Sequence, residues 1–217
     1  MLWGEMMQLY IPAQIESYIK GMKIEEIKDG HCSGDLVYKV GDKYILKVSG
    51  NIPRLEREKK INDYLKDKLP VSESVVFEIE KDRAYYLKTM VQGESLLEKK
   101  YLENPYLTAE ILAKAIKMIH SIDTNGCECY NGESKGNVFV HGDMCLPNVL
   151  ARGNEVSGII DTESCGIGDS WIDYAWCIWS FEYNMGTKEY TPILLEKLGI
   201  EFDEGKYKQY IDEEALQ

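Results

Sequence analysis

Three polar side chains in the second half of the sequence have the types and the spacing that phosphoryl transfer requires. The apolar run Val138–Val140 is followed closely by Asp143, and Asn148 comes five residues after that aspartate. A second apolar run, 156–160, ends at Asp161. One carboxylate can orient an acceptor hydroxyl and accept its proton, while an amide oxygen and another carboxylate are hard ligands of the kind that Mg²⁺ prefers. The trio therefore predicts a site for transfer of a γ-phosphoryl group.

The order of these pieces resembles the signature of the aminoglycoside phosphotransferase family. The shared stretches are 141–143 (His-Gly-Asp), Asn148, 160–161 (Ile-Asp) and 168–175, and the runs 69–71, 118–123 and 195–214 resemble the 3′-aminoglycoside kinases specifically. The resemblance implies a fold similar to that of protein kinases, ATP or GTP as phosphoryl donor, and Mg²⁺. It also implies that Asp143 is the catalytic base and that Asn148 and Asp161 are the metal ligands.

A lysine and a glutamate in the first half of the chain fit the same interpretation. Lys47 lies inside the apolar run 45–48, where an unpaired ammonium group would be costly, and this favours a functional role. In kinases a helix glutamate holds such a lysine against the nucleotide phosphates. Glu58 matches the family position, whereas its neighbour Glu56 does not. We therefore predict Lys47 as the phosphate clamp and Glu58 as its partner.

Further contacts are expected from position in the family alone. The stretch 87–93 resembles the linker that holds adenine, which places Thr89 and Val91 nearest the base. The loop 30–36 resembles the phosphate-covering turn, in which Ser33 and backbone N–H groups would meet phosphate oxygens. At the C-terminus, carboxylates that resemble those contacting substrate amines are found at Asp212, Glu213 and Glu214.

Hydrophobic patterns predict the elements that position these groups. Apolar runs predict strands over 36–40, 44–48, 75–79 and 84–90, with the first two forming a hairpin. Helical spacing predicts helices over 13–22, 55–69 and 108–121, the last capped by Thr108. We expect an α+β, protein-kinase-like fold with two lobes. Residues 1–92 would form a nucleotide-binding N-lobe around a small antiparallel sheet, and residues 93–217 a mainly helical C-lobe that carries catalysis and the acceptor site.

Charge and cysteine content narrow the class of partner. The 217 residues include 25 Lys+Arg and 37 Asp+Glu, a net charge of -12, and the whole excess lies in residues 93–217. Such a balance disfavours nucleic acid and membrane partners and favours a cationic small molecule. No secretory signal or long apolar run is visible, so we expect a cytoplasmic protein whose six cysteines are reduced.

Two departures from the family concern the acceptor. Only 17 residues separate Asp123 from His141, whereas aminoglycoside kinases carry a much longer segment there that forms part of the antibiotic pocket. The stretch 162–167 also lacks the arginines that related kinases place after the second aspartate. The catalytic groups therefore resemble the family more closely than the acceptor site does.

Three functions remain open on this basis. The leading hypothesis is a kinase that confers antibiotic resistance by phosphorylating a hydroxyl of an aminoglycoside. A second is a kinase of a metabolite alcohol such as choline, homoserine or a sugar, for which Trp171, Trp176, Trp179 and Tyr183 could supply an aromatic cage. Helical spacing of the last three instead predicts core packing. The third is a nucleotide-binding protein without turnover.

Overall fold

The computed structural model describes residues 10–28, 34–132 and 135–211, which form two compact units. The first unit contains the described residues up to Lys59 together with Glu73–Met90. The second contains Lys60–Ser72 together with the described residues from Val91 onward. The chain thus enters the second unit close to residue 92, where the sequence suggests a boundary, but Lys60–Ser72 packs with the second unit rather than the first.

The first unit is built on a five-stranded antiparallel sheet. Its strands are β1 (Ile24–Glu26), β2 (Leu36–Val40), β3 (Tyr44–Ser49), β4 (Ser74–Glu80) and β5 (Arg83–Thr89). They lie in the order β1-β2-β3-β5-β4. The predicted hairpin of β2 and β3 is confirmed, and Gly41 adopts a left-handed conformation (φ 56°) at its turn. Among the described strands of this unit, only β1, three residues long, has no counterpart among the strands predicted from periodicity.

A helix packs on each face of this sheet. Helix α1 (Ala13–Ile19) places Ile15 and Ile19 against a cluster that includes Leu46 of β3 and Leu87 of β5. The first half of α2 (Ile52–Leu65) places Leu55 against Ala84 and Tyr86. Because side chains alternate along a strand, Lys47 and its neighbours on the second face point toward α2.

The second unit is mainly helical. Its helices are α3 (Lys99–Leu102), α4 (Pro105–His120), α5 (Ser170–Met185), α6 (Thr191–Leu198) and α7 (Glu204–Tyr210). Two small antiparallel sheets accompany them: β6 (Glu94–Ser95), β8 (Val149–Arg152) and β9 (Glu155–Ile159) form one, and β7 (Val138–Val140) and β10 (Gly166–Gly168) the other. The apolar faces of α4 and α5 supply much of the core, including Ile111, Ile116, Ile178 and Phe181. The fold class is α+β, as predicted.

The boundaries of all three predicted helices differ from the predictions. Helix α1 ends at Ile19 rather than at residue 22, and Gly21 adopts a left-handed conformation (φ 77°). Helix α2 begins at Ile52 rather than at residue 55. Helix α2 ends at Leu65 rather than at residue 69, because Asp67 adopts a left-handed conformation (φ 66°).

Helix α4 begins three residues before Thr108, and its cap is Asn104, whose side chain accepts a hydrogen bond from the N–H of Leu107 (3.2 Å). The hydroxyl of Thr108 is buried inside the helix packing and donates to the carbonyl of Tyr101 (2.8 Å).

The described part of the segment between Asp123 and His141 includes buried residues. Cys127, Cys129 and Asn131 are at most 6% exposed. Tyr64 of α2 packs beside this segment; burial and a hydrogen bond with Cys127 raise the pKa of its hydroxyl to about 12. Among the described residues, no helix combines the length and the apolar character needed to cross a membrane.

Candidate active site

The backbone that precedes Asp143 is held by Asp173, a fully buried side chain of α5. Its Oδ2 accepts a hydrogen bond from the N–H of His141 (2.9 Å), and its Oδ1 accepts one from the N–H of Gly142 (2.8 Å). The ring Nε2 of His120, at the end of α4, lies 2.9 Å from Oδ2. A carboxylate buried without such partners would be costly. The loop N–H groups therefore satisfy the buried carboxylate of Asp173. The same hydrogen bonds fix the position of the loop that carries Asp143, the predicted catalytic residue.

The ring of His141 connects the two segments of the predicted site. Its Nδ1 accepts a hydrogen bond from the N–H of Asp143 (3.3 Å), and its Nε2 lies 3.0 Å from the carbonyl oxygen of Ile160. These partners assign the ring proton to Nε2, since a carbonyl oxygen can only accept. Because Ile160 precedes Asp161, the ring links the segment of Asp143 to that of Asp161.

Position 142 accommodates glycine alone. The residue has φ +82°, and a Cβ atom there would lie 2.4 Å from Nδ2 of Asn131 and 2.7 Å from the carbonyl oxygen of Ser164. Asn131 in turn donates to that carbonyl (2.8 Å), so neither group can move without breaking a hydrogen bond. The motif therefore requires glycine at position 142 for two reasons: the positive φ angle and the lack of space for a Cβ atom.

The carboxylate of Asp143 is held by two neutral donors. Its Oδ2 accepts a hydrogen bond from Nδ2 of Asn148 (3.0 Å), and its Oδ1 accepts one from the thiol of Cys145 (3.1 Å). Burial, together with the charge of Asp143, raises the pKa of the Cys145 thiol. The thiol therefore keeps its proton at neutral pH and acts as a donor. Each carboxylate oxygen has one fixed partner, which sets the orientation of the side chain.

Asn148 and Asp161 supply oxygen donors suited to Mg²⁺. The amide nitrogen of Asn148 donates both to the side chain of Asp143 and to its carbonyl oxygen (2.9 Å), so the amide oxygen is the donor atom for a metal ion. The N–H of Ile160 donates to the carbonyl of Asn148 (3.0 Å), which places the two segments side by side. Asp161 itself has a left-handed backbone (φ 56°, ψ 56°). An amide oxygen and a carboxylate form a hard donor set, and these residues fit the ion.

The predicted phosphate clamp in the first unit is a buried cluster of three charged residues. Lys47 Nζ lies 3.1 Å from Oε2 of Glu58, and Lys88 Nζ contacts Oε1 of the same carboxylate. The exposed fractions are 8% for Lys47, 2% for Glu58 and 3% for Lys88. The structure thus brings Lys47 and Glu58 together as predicted and adds Lys88 to them.

Of the remaining predicted site residues, the structure describes Thr89 and Val91. The N–H of Thr89 donates to the carbonyl of Glu73 (2.9 Å) and its hydroxyl accepts from the N–H of Glu73 (2.8 Å), so both groups are used in the first unit. Val91 packs against Gly158 in the second unit. A Cβ atom on Gly158 would lie 2.3 Å from Cγ1 of Val91. The base-binding role of both residues stays a prediction. Outside the described residues lie Ser33, Asp212, Glu213 and Glu214.

Asp173, Cys145 and Lys88 are site residues for which the sequence alone predicts no role. A signal existed for two of them. Asp173 and Lys88 are charged residues inside otherwise apolar stretches, 171–181 and 84–89, and the argument that singled out Lys47 applies equally to them. Cys145 offers no such signal, because a cysteine is an ordinary core residue.

The chain is similar in sequence to known phosphotransferases. A sequence model of the "Phosphotransferase enzyme family" matches residues 131–210, the part that carries Asp143, Asn148 and Asp161. A probable aminoglycoside 3′-phosphotransferase of Lactococcus lactis is 24% identical over 230 residues, covering 87% of this chain and 87% of the relative. An aminoglycoside 3′-phosphotransferase of Enterococcus faecalis is 27% identical over 210 residues, covering 76% and 80%.

Solved structures share the fold. The crystal structure of an aminoglycoside-3′-phosphotransferase of type VIII superposes with a TM-score of 0.77 at 20% identity, covering 91% of this chain and 94% of that one. This similarity confirms the expected protein-kinase-like α+β fold. Together with the family match and the relatives, it supports the resemblance of the chain to the aminoglycoside phosphotransferase family.

Proposed function

We propose that this protein transfers the γ-phosphoryl group of ATP or GTP to a hydroxyl group of an aminoglycoside, with Mg²⁺ as cofactor. The observation that carries the proposal is the arrangement at Asp143, whose carboxylate is fixed by two neutral donors beside the oxygen donors of Asn148 and Asp161. The acceptor class is supported by the relatives, which are aminoglycoside 3′-phosphotransferases similar to the chain over most of their length.

Each named side chain has a defined task in this reaction. Asp143 orients the acceptor hydroxyl and accepts its proton as the new O–P bond forms, and the bond between the γ-phosphorus and the leaving nucleoside diphosphate breaks. Asn148 and Asp161 would hold Mg²⁺, which neutralises charge on the phosphates when bound. Lys47, held by Glu58, meets the phosphates of the donor. Most of the rate enhancement would come from positioning and charge neutralisation.

The distribution of charge supports a polycationic acceptor. Residues 93–217 contain 10 basic and 22 acidic side chains, whereas residues 1–92 contain 15 of each. A region with this excess of negative charge attracts amines over a distance set by the ionic strength. We therefore expect the Michaelis constant of the acceptor to rise with salt concentration.

The aromatic residues of α5 do not support the choline alternative. Trp176 and Trp179 meet edge to face at 5.6 Å, and Trp179 stacks on Tyr183 at 5.3 Å between ring centroids. Rings that contact each other in this way form a ladder along the helix and leave no space between them for a quaternary ammonium group. Trp176 and Trp179 pack against the core, as predicted, whereas Tyr183 is 69% exposed, so that part of the core-packing prediction is wrong.

An acceptor screen with the purified protein tests the proposed function. Kanamycin- and neomycin-type aminoglycosides, choline, homoserine and simple sugars are each supplied with Mg²⁺ and either ATP or GTP, and release of ADP or GDP is followed. We expect turnover with at least one aminoglycoside. Turnover only with a metabolite alcohol would replace the acceptor class, and nucleotide binding without any turnover would leave a binding protein.

Asp143→Asn tests the catalytic assignment on the best acceptor from that screen. We expect turnover to fall by about 10²–10⁴-fold, because general-base help is lost while shape is kept. Asp203→Asn is the matched control: Asp203 caps α7 by accepting from the N–H of Lys206 (3.0 Å), a task that asparagine performs as well. An Asp143→Asn variant with the turnover of the control would show that Asp143 is not the base.

A further inference from the structure

Lys88 is a buried cation that the mechanism above does not use. It lies on β5, directly before Thr89, and only 3% of it is exposed. An ammonium group is buried at high cost unless it is paired, and this one is paired with Oε1 of Glu58. Apolar residues of similar volume often replace buried ion pairs without loss of stability, so the pair itself is weak support for a purely structural role.

The sheet register places Lys47 and Lys88 on one face. Lys47 lies opposite Tyr86, and Lys88 lies opposite Ile45, on the neighbouring antiparallel strands β3 and β5. Because residues two apart on a strand share a face, the side chains of Tyr86 and Lys88 point the same way as that of Lys47. Lys88 Nζ also lies 5.9 Å from the centroid of the Tyr86 ring. The two ammonium groups therefore approach Glu58 from adjacent positions.

Glu58 divides its two oxygens between the two lysines. Oε2 lies 3.1 Å from Lys47 Nζ, while Oε1 contacts Lys88 Nζ. A carboxylate held at one oxygen can rotate about its terminal bond, which has a broad torsional preference. Held at both oxygens, it keeps one orientation. Since a lysine is a point charge on a flexible stem, the position of the Lys47 ammonium depends on how firmly Glu58 is oriented.

We propose that Lys88 is a positioning residue for the phosphoryl donor. By holding Oε1 of Glu58, it orients Oε2 and, through it, the ammonium group of Lys47 that meets the nucleotide phosphates. This inference rests on the proposed function, in which Lys47 is the phosphate clamp. A purely structural ion pair predicts a change in stability alone, whereas a positioning role predicts weaker nucleotide binding in a protein that remains folded.

The test measures binding of ADP and GDP, each with Mg²⁺ and without acceptor, by calorimetry on the full chain. Lys88→Met removes the charge at similar volume, Lys88→Gln keeps a donor without charge in case the methionine variant does not fold, and Lys88→Arg keeps the charge. Lys47→Met reports on the clamp itself. Lys39→Met is the matched control, because Lys39 lies on β2 of the same sheet and pairs with Asp42 (2.8 Å) at the surface.

We expect Lys88→Met to raise the dissociation constant of the preferred nucleotide about tenfold, the loss of one well-oriented charged contact. In turnover assays the Michaelis constant of the nucleotide should rise more than kcat falls, Lys88→Arg should recover much of the affinity, and Lys39→Met should bind as the wild type does. A Lys88→Met or Lys88→Gln variant that binds nucleotide normally, or more tightly, overturns the inference even if its melting temperature is lower.

The variants of Lys47 and Lys88 distinguish a failure of the positioning role from a failure of the phosphate clamp. If Lys47→Met weakens nucleotide binding and the Lys88 variants do not, only the positioning role is wrong. If Lys47→Met also binds nucleotide with unchanged affinity, the clamp assigned in the proposed function is wrong, and the role of Lys88 falls with it.

Discussion

The two compact units hold their functional charges by different means. In the first unit, Lys47 is held by a full charge, the carboxylate of Glu58, which also binds Lys88. In the second unit, the carboxylate of Asp143 is held by neutral donors, the amide of Asn148 and the thiol of Cys145.

The difference follows from the chemistry that each group is proposed to perform. A lysine that binds phosphate stays charged throughout, and an opposite charge favours that state while ordering its flexible stem. A carboxylate that accepts a proton from the acceptor hydroxyl needs a fixed orientation, and hydrogen bonds from neutral donors supply it. An ion pair is thus suited to the clamp and a neutral cage to the base.

The largest expected effect on stability comes from removing the charge of Glu58, which pairs with both Lys47 and Lys88. Glu58→Gln leaves two buried ammonium groups with a neutral amide between them, and we expect the free energy of unfolding to fall by about 3 kcal/mol. Urea denaturation measures this change. Glu56→Gln is the control, since Glu56 is exposed on the same helix. A loss no larger than that of the control would show that the three charges are not mutually dependent.

A smaller effect is expected from the buried carboxylate of Asp173, which holds the loop that carries Asp143. Asp173→Asn replaces one acceptor oxygen by an NH₂ group that faces the donors from His141, Gly142 or His120. We expect a loss of about 1–3 kcal/mol in stability, the cost of one unsatisfied buried group. A fall in kcat with unchanged nucleotide affinity should accompany it. Reduced nucleotide binding with normal kcat would contradict the separation of tasks between the units.

The smallest expected effect concerns a neutral donor at the rim of the second unit. The hydroxyl of Tyr210 donates to Oδ2 of Asp169 (3.2 Å), and burial, then the charge of Asp169, raises its pKa from 10.0 to about 12. Tyr210→Phe should lower stability at pH 8 by about 1 kcal/mol. Because the folded-state pKa is raised, this contribution is complete below pH 10 and is lost by about pH 12. Urea denaturation at pH 8, 10 and 11 should therefore show the two proteins converging, and a constant difference would show that the fold does not raise the pKa of Tyr210.

Local pattern explains why part of the site could be predicted from the sequence. Lys47 stands out within its own strand, and Asp143 and Asn148 lie five residues apart, so both features are visible in short windows. The hairpin of β2 and β3 is equally local. These predictions needed no knowledge of which distant segments meet.

The features that were missed depend on pairing across the chain. Lys88 and Glu58 are 30 residues apart, and Asp173 and His141 are 32 residues apart. A single sequence shows that such charges are unusual in apolar surroundings but not which group will satisfy them. The predicted cap of α4 was wrong for a different reason. Thr108 and Asn104 both have side chains that can cap a helix, but Pro105 favours the first helical position, which makes Asn104 the cap.

The left-handed backbone of Asp161 lowers folding stability at a residue whose side chain is proposed to support activity. A side chain with a Cβ atom adopts φ 56° at a cost of roughly 1 kcal/mol, which glycine would not incur. The strain is retained at the position whose carboxylate would bind the metal ion. Selection for heat resistance alone would therefore favour Asp161→Gly, whereas selection for phosphoryl transfer would eliminate it, and the two selections applied to one library would rank this substitution in opposite orders.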